Sequence, residues 1–300
     1  MVNREFSPKS NPHGLGIDHL LFLSRDIDQS AVIFEKLGFT TTPPSLHSAH
    51  LGTIQRTLMF QQDYIEIIAI NETTPHNQVH RDHLERGEGW NISAITSDSI
   101  DGTRTALREA GIETQEPLSF SRPVTLPNGG VTEAAFRVVR PLRERLPNGF
   151  MFFCEHFTRD ALWVDTWMRH ENTARGIASV VISSDDPEQS AALYGCLFAA
   201  TGKTKVPGGI SIESGKARLD FLTPARIATL YSDYRLDQVG SLTNKVVRID
   251  VGDLSAARAV IERNAIPSNT GQSGSMIVAP DHAGGTILEF VTRDTPDLTG

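Results

Sequence analysis

Cysteine is almost missing from this chain: there are two, Cys154 and Cys196, far apart and in no paired motif. That excludes a disulfide framework and suits a reducing, cytoplasmic setting. Long hydrophobic runs are missing too, since no window approaches the ~20 apolar residues of a membrane helix. The N-terminal stretch Met1 to Pro12 is polar and lacks the apolar centre of a signal peptide. Basic charge is in deficit, with 28 Lys and Arg against 36 Asp and Glu and a net charge of -8. A nucleic-acid footprint is thereby excluded, as is electrostatic attraction to anionic membranes. There is no phosphate loop, no dinucleotide fingerprint and no Gly-x-Ser-x-Gly elbow. What is present is globular: 300 residues, 39% hydrophobic, suffice for two domains with cores of their own.

The order of elements repeats. Gly16 to Leu23 is apolar apart from Asp18 and His19 and predicts a buried strand. Asp26 then caps a helix in which Ala31, Phe34 and Leu37 are spaced for one face, and Gly38 stops it. Strands around Gly52 to Phe60 and Tyr64 to Ile70 complete a β-α-β-β-β unit. Gln189-Ser190-Ala191 repeats Gln29-Ser30-Ala31 after 160 residues, and Ser179 then falls on His19. A second pair begins at Trp90 to Thr96 and at Val246 to Val251, each strand leading into a helix, with Arg104 and Arg258 in matching places. Four occurrences in the order A-B-A-B predict internal duplication. The fold class expected is α+β, with four βαβββ modules paired into two curved mixed sheets. The domains expected are 13–160 with modules one and two, a connector at 161–175, and 176–295 with modules three and four. Asn128-Gly129-Gly130 and Pro207-Gly208-Gly209 read as hairpin turns.

Gly16-Ile-Asp-His19-Leu in the first strand, Tyr64-Ile-Glu66-Ile closing the first module, and Pro280 to Phe290 closing the last resemble the vicinal oxygen chelate superfamily. Leu51 to Arg56, Ser121 to Val124 and Phe153 to Thr158 are similar to stretches in its bacterial glyoxalase-like members. The resemblance implies an open eight-stranded sheet forming a cleft, with any metal ligands on the first and last strands of each module. It also implies a metal that binds two vicinal oxygens of a substrate as a Lewis acid.

Residue by residue, His19 and Glu66 fill the ligand positions of the first module, each polar within an apolar strand. In the second module the residue lined up with His19 is Ile92, which binds no metal, and the last strand offers Glu155 or His156. Strand parity does not choose between those two, because a slip of one residue exchanges the faces. The expected cofactor is therefore a divalent metal (Fe, Mn, Ni or Zn) on His19, Glu66 and one of Glu155 or His156. Glu66 and His50 are the candidate catalytic groups, His50 as a proton shuttle. Arg56, Arg122 and Trp163 are the candidate substrate contacts, the arginines suited to a carboxylate or enolate oxygen. Trp163, Trp167 and His170 read as an anchor for the connector in preference to a flap. His76, His80 and His83 read as a solvated face. In the second half Ser179, Val246, Asp220 and Glu289 occupy the ligand positions, which makes that half structural, a lid, or a homodimer surface. The function expected is an isomerase or lyase, less readily a dioxygenase, acting on a small oxygenated anionic molecule. The alternative is a metal-free binding or sequestering protein of the same fold, comparable to antibiotic-binding members. The expected partner is a small-molecule substrate, with no nucleic acid and no membrane.

Overall fold

The computed structural model describes residues 14–142, 150–195, 197–198, 202–234, 244–271, 273–293, 295 and 298. The N-terminal stretch up to residue 13, Cys196 and the side chain of Ile92 lie outside the described residues. Among the described residues, no helix is long and apolar enough to cross a membrane.

The first half runs β1 (Gly14–Ser24), α1 (Ile27–Lys36), β2 (Ser45–Leu46), β3 (Thr53–Met59), β4 (Tyr64–Ile70), α2 (Gln78–Leu84), β5 (Gly89–Ser97), α3 (Ile100–Glu109), β6 (Leu118–Thr125), β7 (Val131–Val139) and β8 (Phe150–His156). Its strands form one sheet in the order β2-β3-β4-β1-β5-β8-β7-β6. The second half repeats the plan with β9 (Ala174–Ser183), α4 (Pro187–Gly195), β10 (Lys203–Val206), β11 (Gly209–Glu213), β12 (Arg218–Leu222), α5 (Pro224–Leu230), β13 (Asn244–Val251), α6 (Leu254–Arg263), β14 (Ser268–Thr270), β15 (Met276–Val278) and β16 (Ile287–Val291). That sheet is ordered β10-β11-β12-β9-β13-β16-β15-β14. In each module the first strand pairs parallel with the last (β1 with β4, β5 with β8, β9 with β12, β13 with β16), and the two modules of a sheet join antiparallel through β1 and β5 or β9 and β13. This is the expected α+β architecture of curved mixed sheets.

Alternation along β1 separates two environments. Leu20 and Phe22 enter the large core shared with the helices and with the second sheet, while Leu21 and Leu23 face a separate apolar cluster on the concave side. Helix α1 is capped by Asp26, whose carboxylate accepts from Asp28 N and Gln29 N at 3.0 Å. It buries Phe34, which meets Phe22 at 5.3 Å and Trp90 at 6.0 Å edge to face. The segment after β8 is stapled to the first sheet. His170 Nδ1 accepts from Thr40 N at 2.9 Å, its Nε2 donates to Met59 O at 2.8 Å, and Asn172 Nδ2 donates to Leu37 O at 2.8 Å. Trp167 is buried in the concave cluster, so this segment packs as an anchor.

Helix α2 corrects one expectation. The charged stretch around His76, His80 and His83 was read as a solvated face, yet His80 and His83 are buried against the sheet and His76 alone of the three is exposed. Burial holds His80 down at about 3, helped by the charge of Arg140, and His83 at about 4, so both imidazoles are neutral.

Candidate functional site

A β-bulge builds the centre of the site. The register between β1 and β5 slips between Ile17 and His19, so Ile17 stays with the helical core while Asp18 and His19, although adjacent, both turn to the concave side. His19 Nδ1 donates to Asp18 Oδ1 at 2.7 Å, and from β8 His156 Nε2 donates to the same oxygen at 2.9 Å. Thr96 Oγ1 donates to Asp18 Oδ2 at 2.8 Å. Burial alone would raise the Asp18 carboxyl, but His156 and His19 together hold it well below the usual carboxylate range.

On its other side His19 faces Glu66 of β4, with Nε2 3.5 Å from Oε2. The second Glu66 oxygen, Oε1, lies 3.4 Å from His47 Nε2. Burial raises the Glu66 carboxyl, yet His47, His19 and Arg122 overcome it and hold the group at about 2. Tyr64 stacks on the His19 ring at 4.3 Å and fixes its plane. The structure therefore brings His19 and Glu66 together and adds His47, which sequence reading missed. A hydrogen bond between His47 Nδ1 and Thr53 Oγ1 at 2.8 Å, with His47 N donating to Thr53 O, turns that ring inward from the end of β2.

These groups line a cavity of about 70 Å³ whose apolar wall includes Phe120, Phe136 and Phe152. Arg122 reaches it from β6 and is 5% exposed. Its Nη1 donates to Ser45 Oγ at 3.2 Å, and Gln55 Oε1, in the amide orientation that satisfies both groups, accepts from Nη1 and Nη2 at 3.1 and 3.0 Å. Its Nε has no partner.

Other expected site residues lie elsewhere. Arg56 sits on the opposite face of β3, where Nη2 pairs with Asp28 Oδ1 of α1 at 2.7 Å and Nη1 donates to Thr42 O at 3.0 Å; its neighbour Gln55 takes the inward position. His50 is exposed on the turn before β3, its ring 5.4 Å from that of His76, and does not line the cavity. Of the two alternatives on β8, Glu155 faces the helices: its Oε2 accepts from Ile100 N at the start of α3, 3.0 Å away. His156 shares the concave face with Phe152 and Cys154, because Met151 and Phe153 belong to the helical core. Opposite His19 on β5 stands Ala94, which offers no ligand, and Ile92 stands opposite Leu21. Trp163 stays outside the cavity and backs it instead, edge-on to Tyr64 at 5.7 Å and His156 at 5.4 Å, with Arg159 3.4 Å over its ring.

Two donor sets could hold a metal. Asp18, Cys154 and His156 place ligand atoms within 4.8 Å of one another, the group of three that does so among the described residues. The Asp18 oxygen in that set already serves two imidazoles, and burial followed by the charges of Asp18, Glu66 and Glu155 pushes the Cys154 thiol well up, which disfavours the thiolate a metal requires. The second set is His19, Glu66 and His47. Two ligands at about 2.1 Å from one ion across a tetrahedral angle stand about 3.4 Å apart. Each imidazole–carboxylate contact here has that spacing and is long for a hydrogen bond. The imidazoles meet different oxygens of Glu66, however, and the three residues do not bring one ligand atom each within 4.8 Å of one another, so one ion held by all three requires the side chains to close on it. Asp18 accepts from Nδ1 of His19 and leaves Nε2 facing Glu66, the outer-shell arrangement that metal-binding histidines use.

Comparison with known proteins agrees with this architecture. No curated protein is similar at a significant level. Among solved structures, a hypothetical protein from Staphylococcus aureus superposes with a TM-score of 0.64 at 10% identity, over 92% of this chain and 98% of that one. An extradiol ring-cleaving dioxygenase from B. fuscum superposes at 0.56 with 10% identity, over 99% of this chain and 78% of that one. At such identities the likeness is one of fold. The family described as glyoxalase-like domain matches residues 17–198, more than half of the chain, and thus spans every residue of the first cleft. The chain belongs to that glyoxalase-like domain family, within the vicinal oxygen chelate superfamily.

Proposed function

We propose that the first cleft is a metal-assisted catalytic site that isomerises or cleaves a small, oxygenated, anionic organic molecule. The observation that carries this reading is Glu66: buried and ionised, it presents one oxygen to His19 and the other to His47 beside a cavity. Closed on one ion, His19, His47 and Glu66 would make a two-histidine, one-carboxylate set, which leaves coordination positions open. A divalent ion held there (Fe, Mn, Ni or Zn) would act as a Lewis acid toward two vicinal oxygens of the substrate. The chain's own residues supply the rest. Arg122 is fixed by Gln55 and Ser45, so its charge is already oriented toward a substrate carboxylate. Phe120, Phe136 and Phe152 keep the cavity apolar, which strengthens that attraction. Glu66, at about 2, stays ionised across the physiological range. That suits it to charge pairing and ligation, and makes it a weak proton acceptor. Dioxygenation fits less well, because the second half carries Ser179 and not a histidine at the position matching His19.

Elemental analysis of protein purified without a metal-affinity tag tests the proposal. Near-stoichiometric metal is expected in the wild type and in Cys154→Ala, and its loss in His19→Ala and in Glu66→Gln. Loss in Cys154→Ala with retention in Glu66→Gln would move the ion to Asp18 and His156 and overturn the ligand assignment. No metal in the wild type, even after titration with Mn, Fe, Ni and Zn, would overturn the metal-assisted reading itself.

A further inference from the structure

Ser179 occupies in β9 the place that His19 occupies in β1, but its surroundings carry different chemistry. His19 has Tyr64 opposite it on one side and Ala94 on the other. Ser179 has Arg218 of β12 on one side and Arg248 of β13 on the other, in direct register. Neighbouring strands are about 4.8 Å apart, so two guanidinium stems straddle the serine hydroxyl across about 10 Å.

A cavity of about 280 Å³ opens over these three residues along the seam between the halves, and Arg175, Lys216 and Arg293 also line it. Two of its donors are buried and unsatisfied. Ser179 Oγ, on a residue 1% exposed, has no partner, and neither has Nη2 of Arg248, which is 2% exposed. Leaving such donors unpaired in a protein interior is costly, and a bound acceptor removes the cost. Arg248 is nonetheless held in place, because its Nε donates to Glu289 Oε2 at 3.1 Å, and Tyr231 donates to the same oxygen at 2.7 Å. Arg218 is likewise fixed on Asp220, Nε to Oδ1 at 2.8 Å. The two carboxylates that looked like remnants of a metal site are counter-ions that aim guanidinium groups.

The charges that face the cavity favour an anion. Five cations line it, Arg175, Lys216, Arg218, Arg248 and Arg293, against two carboxylates, Asp63 and Asp250. Asp220 and Glu289 stand behind two of those arginines. Even with all four carboxylates charged, the cations are in excess by one among the described residues. Lys216 spends two of its hydrogen bonds on Gln62 O and Thr96 Oγ1, so it contributes charge more than free donors.

We infer that this second cleft binds a small oxyanion, a phosphate or carboxylate group that accepts from Ser179 Oγ and Arg248 Nη2 between the two arginines. A guanidinium presents planar, paired donors that match such oxygens.

Isothermal titration of the full chain at low ionic strength, with inorganic phosphate in one arm and succinate in the other, tests the inference. Binding of at least one anion is expected, together with a rise in melting temperature. Ser179→Ala should weaken binding about tenfold or more, the loss of one charge-assisted hydrogen bond. The hydroxyl has no partner within the protein, so this variant keeps its fold. Arg248→Met should abolish binding, while Arg122→Met, in the first cleft, should bind as the wild type does. Saturation by phosphate alone would assign a phosphate-bearing ligand, and by succinate alone a carboxylate. Failure of both anions to bind, equal binding by Ser179→Ala, or loss of binding in Arg122→Met would each overturn the inference. None of these outcomes depends on metal in the first cleft.

Discussion

At the scale of single residues, the first cleft works by fixing protonation states before any ligand arrives. Asp18 accepts from His19 and His156 through one oxygen and from Thr96 through the other, so it remains a buried anion. Burial first, and then the charges of that anion, Glu66 and Glu155, keep the Cys154 thiol protonated. The consequence is measurable. In the native protein Cys154 should not react with a disulfide reagent at pH 8, where an ordinary thiol is partly ionised. Cys154→Ala should therefore leave the native thiol titre unchanged and lower the titre of the denatured chain from two to one. A native titre that falls with the substitution would show that the thiolate is accessible. His19 and Glu66 were legible at this scale because each interrupts an apolar strand, and a polar group there has to be satisfied. His47 gave no such signal: it follows a two-residue strand, and the hydroxyl of Thr53 that turns it inward is six residues away.

At the scale of elements, alternation was readable wherever a strand is regular and failed where a bulge or a turn intervenes. The period of two separates Leu20 and Phe22 from Leu21 and Leu23 along β1. It cannot reveal that Asp18 and His19 share a face, because the slip that allows this is a property of pairing with β5. Arg56 lies one position off the inward face of β3, a strand that pairs with β4 without a slip, and Gln55 holds that face. On β8, where parity was left open, Glu155 faces the helices and His156 the cleft. The charged helix α2 misled in another way. His80 and His83 are buried as neutral imidazoles, which composition alone reads as surface. The loop that carries His47 depends on Gly52, whose φ of 63° is a conformation side chains resist. A Cβ there would lie 2.3 Å from Glu72 O, and Asn77 Nδ2 ties Leu51 O and Glu72 O around it at 2.8 and 2.7 Å. Gly52→Ala should cost on the order of 2–4 kcal/mol from backbone strain and overpacking together. Urea unfolding measures this, and a change below about 0.5 kcal/mol, the usual range for a neutral surface substitution, would refute it.

At the scale of the whole molecule, the seam between the halves and the buried histidines oppose one another as pH changes. Burial holds His80 at about 3, and His83 and His170 at about 4, against an ordinary value near 6.5. The unfolded chain therefore takes up these protons first. The stability they contribute is complete above about pH 6.5 and falls as pH drops toward 4. Asp63 has the opposite sign. It lies at the seam, where Oδ1 accepts from Ile177 N of the second sheet at 3.1 Å. Burial pushes its carboxyl up to about 7, although that hydrogen bond and the charge of Lys216 pull it down. Here the folded protein keeps a proton that the unfolded chain releases near pH 4, so stability declines as pH rises from about 4 through 7. Asp63→Asn separates the two effects. The amide oxygen can still accept from Ile177 N, but it has no proton to lose. Between pH 5 and 8, in a buffer free of phosphate and carboxylates, the variant should gain roughly 2–3 kcal/mol on the wild type, about 1.4 kcal/mol for each pH unit crossed below the folded value. Paired melting curves across that range decide the matter: the difference in stability must grow with pH. A constant difference would mean that Asp63 is already ionised at the seam and that Lys216 neutralises it in the folded protein.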